Sequence, residues 1–334
     1  MQLLFRLLSY LLLFNFSLIP FHFPELNLAQ VFSPEPSFVS HAADSKLITL
    51  LVTGDVLPGR SVELNLARKG DPTFAFAKVA GTLRNADLTL INLEGPLLSG
   101  CPIITTGVTF CGDPRFVRGL TFAGVDVVNI ANNHILNFGQ GGLDQTRKIL
   151  RENNLVAVGE EQIGFKKVRG VTFAFLGFDV VGKKIDRSFL TRQIKKARST
   201  ADVVVVQFHW GQEYTYVPKT AGENPINLAH FTIRSGADLV VGNHPHWIQG
   251  IEFYRGNPIV YSHGNFVFDQ MWSQETQEGM VGKYTFYGSK LVNIEFLPIK
   301  IDSPFQPRFL EGKEKDKLLQ KIHTSSEKIS ELVK

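Results

Sequence analysis

DVVVVQFHW (202–210) and DLVVGNHPHW (238–247) decide the fold. Each opens with a short run of β-branched and apolar residues, too brief for a helix, and each run halts at a histidine or just before one. Between them, residues 225–235 have helical spacing, and strand–helix–strand is the repeating unit of an α/β protein. The pattern recurs toward the N-terminus. LITLLVTG (47–54) halts at Asp55, LTLINL (88–93) at Glu94, and VDVVNIAN (125–132) at Asn133 and His134. Loops at the C-terminal ends of such strands converge on one sheet edge, where α/β proteins build their sites. Two carboxylates, an amide and the imidazoles of His134, His209, His244 and His246 form a mixed oxygen and nitrogen donor set. It suits a divalent Mn, Zn or Fe, one ion or two, better than Ca, which takes oxygen alone.

Each residue also has a plainer reading. Asp55 can be a turn former after Gly54, Asn132-Asn133 a left-handed turn, and His209 a hydrogen-bonded structural histidine. GNHPHW is the most pointed piece, because a proline between two histidines predicts a stiff, extended segment that aims both rings at one ion or two neighbours. The coincidence of such groups at five strand ends is what favours a metal site. Glu213 follows His209 closely and suits orienting an imidazole. Ser262 and Asn265, in YSHGNF (261–266), suit either a substrate contact or loop-shaping hydrogen bonds, and His263 stands where an apolar residue is expected. Gly139, Gly141 and Gly142 lack the Lys-Ser/Thr ending of a phosphate loop, and no Gly-x-Ser-x-Gly elbow is present.

At 334 residues, 44% apolar and 20% charged, the chain is globular with ample core. A net charge of +4 is a mild bias, and no basic stripe interleaves with aromatics, which argues against nucleic acid as a partner. Residues 1–23 read as a signal peptide or membrane anchor: Arg6 precedes the apolar run Leu7–Pro20, no acidic residue intervenes, and the run extends to near spanning length between Leu3 and Phe23. Residues 24–45 read as a linker, 46–300 as the main domain, and 301–334 as a charged helical appendage. Cys101 and Cys111, in an exported chain, read as a disulfide stapling the 99–113 loop. Strand-rich stretches at 155–177 and 250–297 predict mixed rather than purely parallel sheets. Residues 74–84 and 142–153 read as helices.

Taken in order, TGDVLPGR, INLEGPL, ANNHILNFGQGGL, FHWGQEY, GNHPHWIQGIE and YSHGNFVFD resemble the motif series of the CapA-type poly-γ-glutamate capsule synthesis proteins, over about residues 47–270. That family is similar in turn to calcineurin-like metallophosphoesterases. The resemblance implies a metallophosphatase-like α-β-β-α sandwich and a two-metal site. Asp55 and His246 would serve one ion, Glu94 would bridge, and Asn133, His209 and His244 would serve the second. His134 would be the catalytic histidine. Two departures from the phosphoesterase pattern, Leu57 where a histidine is usual and Glu94 where an aspartate is usual, are shared by CapA-type proteins. The implied function is an extracytoplasmic protein of surface-polymer biosynthesis, membrane-anchored or exported, acting by hydrolysis or transfer on an anionic polymer or phosphoester, with a polymer synthetase complex as a candidate partner. The alternatives are a non-catalytic scaffold of such a complex and a phosphoesterase unrelated to capsule.

Overall fold

The computed structural model describes residues 25–33 and 46–334. The expected signal or anchor, and most of the expected linker, lie outside these residues. Among the described residues no helix is long and apolar enough to cross a membrane.

Two sheets face each other. In the first, β1 (Leu47–Val56), β2 (Leu88–Leu93), β3 (Val127–Asn129) and β4 (Val156–Val158) run parallel. The second holds β5 (Gly164–Val168), β6 (Val171–Asp179), β7 (Val203–His209), β8 (Leu239–Asn243), β9 (Ile248–Tyr254) and β10 (Asn257–His263), in the order β5-β6-β7-β8-β10-β9. The chain then returns to the first sheet. On the edge of β1 away from β2, β11 (Asn265–Val267) lies parallel to the end of β1, and β12 (Glu278–Tyr287), β13 (Lys290–Asp302) and β14 (Gln306–Phe309) extend the sheet antiparallel. Both sheets are therefore mixed. The strand-rich 155–177 stretch divides between them: β4 closes one sheet, and β5 and β6 form a hairpin at the edge of the other.

The VVVV run explains the layering. Val203 and Val205 point into the core between the sheets with Leu50, Leu90, Phe175 and Val241. Val204 and Val206 point outward against Leu190 and Ile194 of α6 (Arg187–Arg198) and Leu228 of α7 (Pro225–Arg234). A strand buried on both faces has no polar alternation. The outer face of the first sheet packs on α2 (Arg60–Lys69), α3 (Ala80–Arg84), α4 (Val117–Ala123) and α5 (Gly139–Glu152), through residues such as Val62, Leu83, Leu120 and Leu150. The result is helix, sheet, sheet, helix.

Three expectations change. Residues 74–84 are not one helix; a 3₁₀ turn at Phe74–Phe76 precedes the short α3. The boundary at 300 falls inside β13, and residues 301–334 are not an appendage. They complete β13, add β14 and form a 21-residue helix, Gly312–Leu332, whose Leu318, Ile322 and Ile329 are buried. The reason lies in β9, an edge strand of the second sheet. Its Gly250 N–H donates to Ser325 Oγ (2.8 Å) and its Ile251 N–H to Ser326 Oγ (3.0 Å), so the helix covers an otherwise open edge. The start of the linker also docks: a one-turn helix, α1 (Leu28–Val31), leads to Phe32, which packs on Phe296 and His323.

Candidate metal centre

The C-terminal ends of β1, β2, β7 and β8 meet where the sheets face each other, and they carry Asp55, Glu94, His209 and His244 there. Asp55 is still within β1, at an irregularity in its pairing with β2. Its backbone is held by an N–H bond to the Gly264 carbonyl (2.9 Å). Its Oδ1 accepts from Asn92 Nδ2 (2.7 Å) and its Oδ2 from the His244 N–H (3.1 Å). Glu94, one residue past β2, is fully buried, and neither carboxylate oxygen has a hydrogen-bond partner. Glu94 Oε1 lies 3.7 Å from His134 Nε2 and 3.9 Å from His246 Nε2.

The HPH segment is not extended. His244 (φ 94°) and His246 (φ 57°) both adopt left-handed backbone, rare and costly away from glycine. The bend lets the His244 N–H reach Asp55 while both rings turn inward, with centroids 5.9 Å apart. The His246 Nδ1 donates to Asn265 Oδ1 (2.9 Å), whose own Nδ2 donates to the Thr276 carbonyl (3.0 Å). That chain fixes the amide orientation and leaves His246 Nε2 with its lone pair toward Glu94. Asn265 thus orients an imidazole. Ser262 shapes its loop instead, accepting from the Gly264 N–H (3.1 Å). His263 is fully buried between the Gly242 carbonyl and Tyr284 Oη.

The ligand atoms of Asp55, Glu94 and His246 lie within 4.8 Å of one another, as do those of Glu213, His244 and His246. Glu213, expected only to support an imidazole, therefore stands among the possible ligands. His209 is outside both groups; its ring packs on His244 with centroids 4.8 Å apart. Asn133 is not brought in: it is exposed, and Asn132 is the buried one, donating to the Leu93 carbonyl (2.8 Å). The turn after β3 spends its inward amide on tying β2 to β3. The structure pairs Cys101 with Cys111. Their loop supplies Phe110, which stacks on His134 at 3.9 Å, and the Gly107 carbonyl, which accepts from Arg60 (3.2 Å).

The family model for the bacterial capsule synthesis protein PGA_cap matches residues 49–270, a span that includes every residue of this centre. The chain belongs to the PGA_cap family. Its PGA_cap relatives include the capsule biosynthesis protein CapA of Bacillus anthracis, 32% identical over 291 residues (79% of this chain and 69% of that protein). The PGA biosynthesis protein CapA of Bacillus subtilis is 34% identical over 271 residues (74% and 70%). Among solved structures, a hypothetical protein from Thermus thermophilus superposes with a TM-score of 0.50 at 18% identity, covering 76% of this chain and 99% of that one, a likeness of fold alone. The PGA_cap chain has the α-β-β-α layering expected from its motif series, two mixed sheets between helical layers.

The electrostatics of this PGA_cap centre ask for a cation. Burial pushes the Asp55 carboxyl up to about 7 despite its hydrogen bonds from Asn92 and the His244 N–H. Burial, and then the charge of Asp55, hold Glu94 well above the usual carboxylate range. Burial also pushes His244 down to about 3 and holds His209 and His246 well below the usual imidazole range. The imidazoles are thus neutral and cannot neutralise the carboxylates. His209 Nε2 and His244 Nδ1 are buried without partners, as are both Glu94 oxygens. Unpartnered buried donors and acceptors of this kind are expensive. A divalent cation bound by neutral imidazole and ionised carboxylate satisfies them together, so the residues fit a metal.

Sequence reasoning missed the amides around the ligands. Asn92 joins Asp55 to Asn129 (3.0 Å) and comes within 3.4 Å of His209 Nδ1. An asparagine near the end of the largely apolar LTLINL was the available signal. Arg60 was also missed. It is held by Asp269 and lies over the rings of Phe110 (4.6 Å) and Phe268 (5.6 Å).

Proposed function

We propose that the chain performs a metal-dependent hydrolytic or transfer step in the biosynthesis of a polyanionic surface polymer of the poly-γ-glutamate class, outside the cytoplasm. The observation that carries this reading is Glu94, buried with both oxygens unpartnered behind the neutral His134 and His246, which line a cavity of ≈330 Å³. Asp55, Glu94, His244 and His246 would hold a divalent Mn, Zn or Fe, with Glu213 beside them. A bound divalent ion supplies Lewis-acid polarisation and an activated water.

His134 supplies the proton chemistry. Asn137 Oδ1 accepts from the Phe110 N–H (2.7 Å), so it is the amide oxygen, and His134 Nδ1 at 3.1 Å must donate to it. His134 Nε2 then presents its lone pair beside Glu94, and burial pushes the ring's pKa down, keeping it neutral. It can take a proton and return it to a leaving group. The Phe110 ring stacked on it shields that exchange from water. Arg60, in the same cavity wall, suits an anionic substrate.

The test offers the full chain a small phosphoester and a γ-linked oligoglutamate, with and without metal. Metal-dependent cleavage of one of them is expected, reduced on the order of 10²–10⁴-fold in His134→Ala with metal content unchanged. Equal rates in wild type and His134→Ala, or cleavage of neither, would contradict the reading. Which substrate is cleaved separates phosphoester from γ-glutamyl chemistry.

A further inference from the structure

We propose that the C-terminal helix, with Tyr216, forms a second binding site, outside the metal centre, for a linear chain of carboxylates and amides. The ligand class rests on the function proposed above; the site rests on geometry. A groove of ≈430 Å³ is lined by Tyr216 and by Lys317, Gln320, Lys321, Thr324 and Lys328 of the helix Gly312–Leu332. These positions recur every three or four residues, so they form one stripe, roughly 16 Å long at 1.5 Å per residue. The neighbouring stripe, Leu318, Ile322 and Ile329, is buried, and the serine bonds to Gly250 and Ile251 hold the helix in place. The groove is therefore a fixed surface.

Its charge is one-sided. Lys321 pairs with Glu278 (2.7 Å), but Lys317 and Lys328 have no anionic partner among the described residues. The acidic side chains of the same helix, Glu314, Asp316, Glu327 and Glu331, do not line the groove, and Glu275 at its border accepts from Tyr216 Oη (2.9 Å). Between the ammonium groups lie an amide (Gln320), a hydroxyl (Thr324) and a largely apolar floor that includes Tyr216, 44% exposed. A chain that alternates carboxylate, amide and methylene matches that sequence of surfaces; a polyphosphate, with no amide or methylene, matches the lysines alone.

The groove is joined to the metal-centre cavity by a row of packed aromatic rings. Tyr216 touches Trp247 (ring centroids 4.7 Å apart), Trp247 touches Tyr214 (6.3 Å), and Tyr214 touches both His246 (5.9 Å) and Trp272 (4.9 Å), which is 61% exposed. The segment from Glu213 to Tyr216 thus lines both sites. A polymer held on the helix would present a remote segment to the lysines while the reacting bond lies by His134, the arrangement in which distant binding energy serves the chemistry.

The test measures binding of a γ-linked oligoglutamate to the full chain and to Lys317→Glu/Lys328→Glu, by calorimetry at two salt concentrations, with metal content read in parallel. The proposal expects about tenfold weaker binding in the variant and a smaller salt dependence, with metal content and turnover of a small substrate unchanged. Equal affinity in both proteins, no binding to the wild type, inorganic polyphosphate bound as tightly as oligoglutamate, or a change confined to oligomeric state would each overturn it. Binding lost in the variant of a chain that holds no metal would support the groove and sink the proposed function, so the two fail separately.

Discussion

His263 shows how much a single buried ring can weigh. It is enclosed between the two sheets, and burial pushes its pKa down to about 4. The unfolded chain protonates this ring near its ordinary value of 6.5, so the neutral ring's contribution is complete above that pH and is lost as pH falls through about 4. His263→Met is therefore expected to keep the fold and remove on the order of 3 kcal/mol of acid destabilisation between those pH values; urea titrations across that range measure it. At this scale the residues of the centre were legible, because Asp55, Glu94, His134, His209 and His244 each interrupt or end an apolar run. Their orienting partners were not. Asn265 meets His246 across 19 positions and Asn92 meets Asp55 across 37, contacts that only the folded sheets create. The exchange of Asn133 for Asn132 as the inward amide is a one-residue phase in an irregular turn, which no periodicity specifies.

At the scale of elements, the site depends on how closely β1 approaches β11. A Cβ on Gly54 would run into the Gly264 carbonyl, the same oxygen that holds the Asp55 N–H. Gly54→Ala should cost about 3 kcal/mol or more and weaken metal retention by moving Asp55; thermal unfolding and metal content report the two effects. The C-terminal helix offers a second case. Ser325→Ala/Ser326→Ala strands two buried N–H groups of β9, at a cost of about 1–3 kcal/mol each, visible as a lower urea midpoint with an unchanged slope. The helix itself was legible from its spacing, and so was the α/β alternation. Its docking was not, since two serines in a charged stretch read as surface until β9 is seen to need their hydroxyls.

For the whole molecule, two sheets carry buried charge to one point, so stability, protonation and metal must be linked. Burial holds a proton on Asp55 up to about 7, and metal binding must displace it. Metal retention is therefore expected to strengthen as pH rises through that value, with protons released on loading, measurable by titration in weak buffer. The layer order was expected from the motif series, while the division of β4 to β6 between sheets was not, because alternation in sequence does not say where a chain crosses over. The most direct measurement is the metal content of the full chain, purified without chelator or metal-affinity contact, beside His244→Ala/His246→Ala. One to two tightly held divalent ions per chain, lost in the variant while its circular dichroism is unchanged, is the predicted result. No metal in the wild type after dialysis against Mn or Zn, or equal metal in both proteins, would contradict the account.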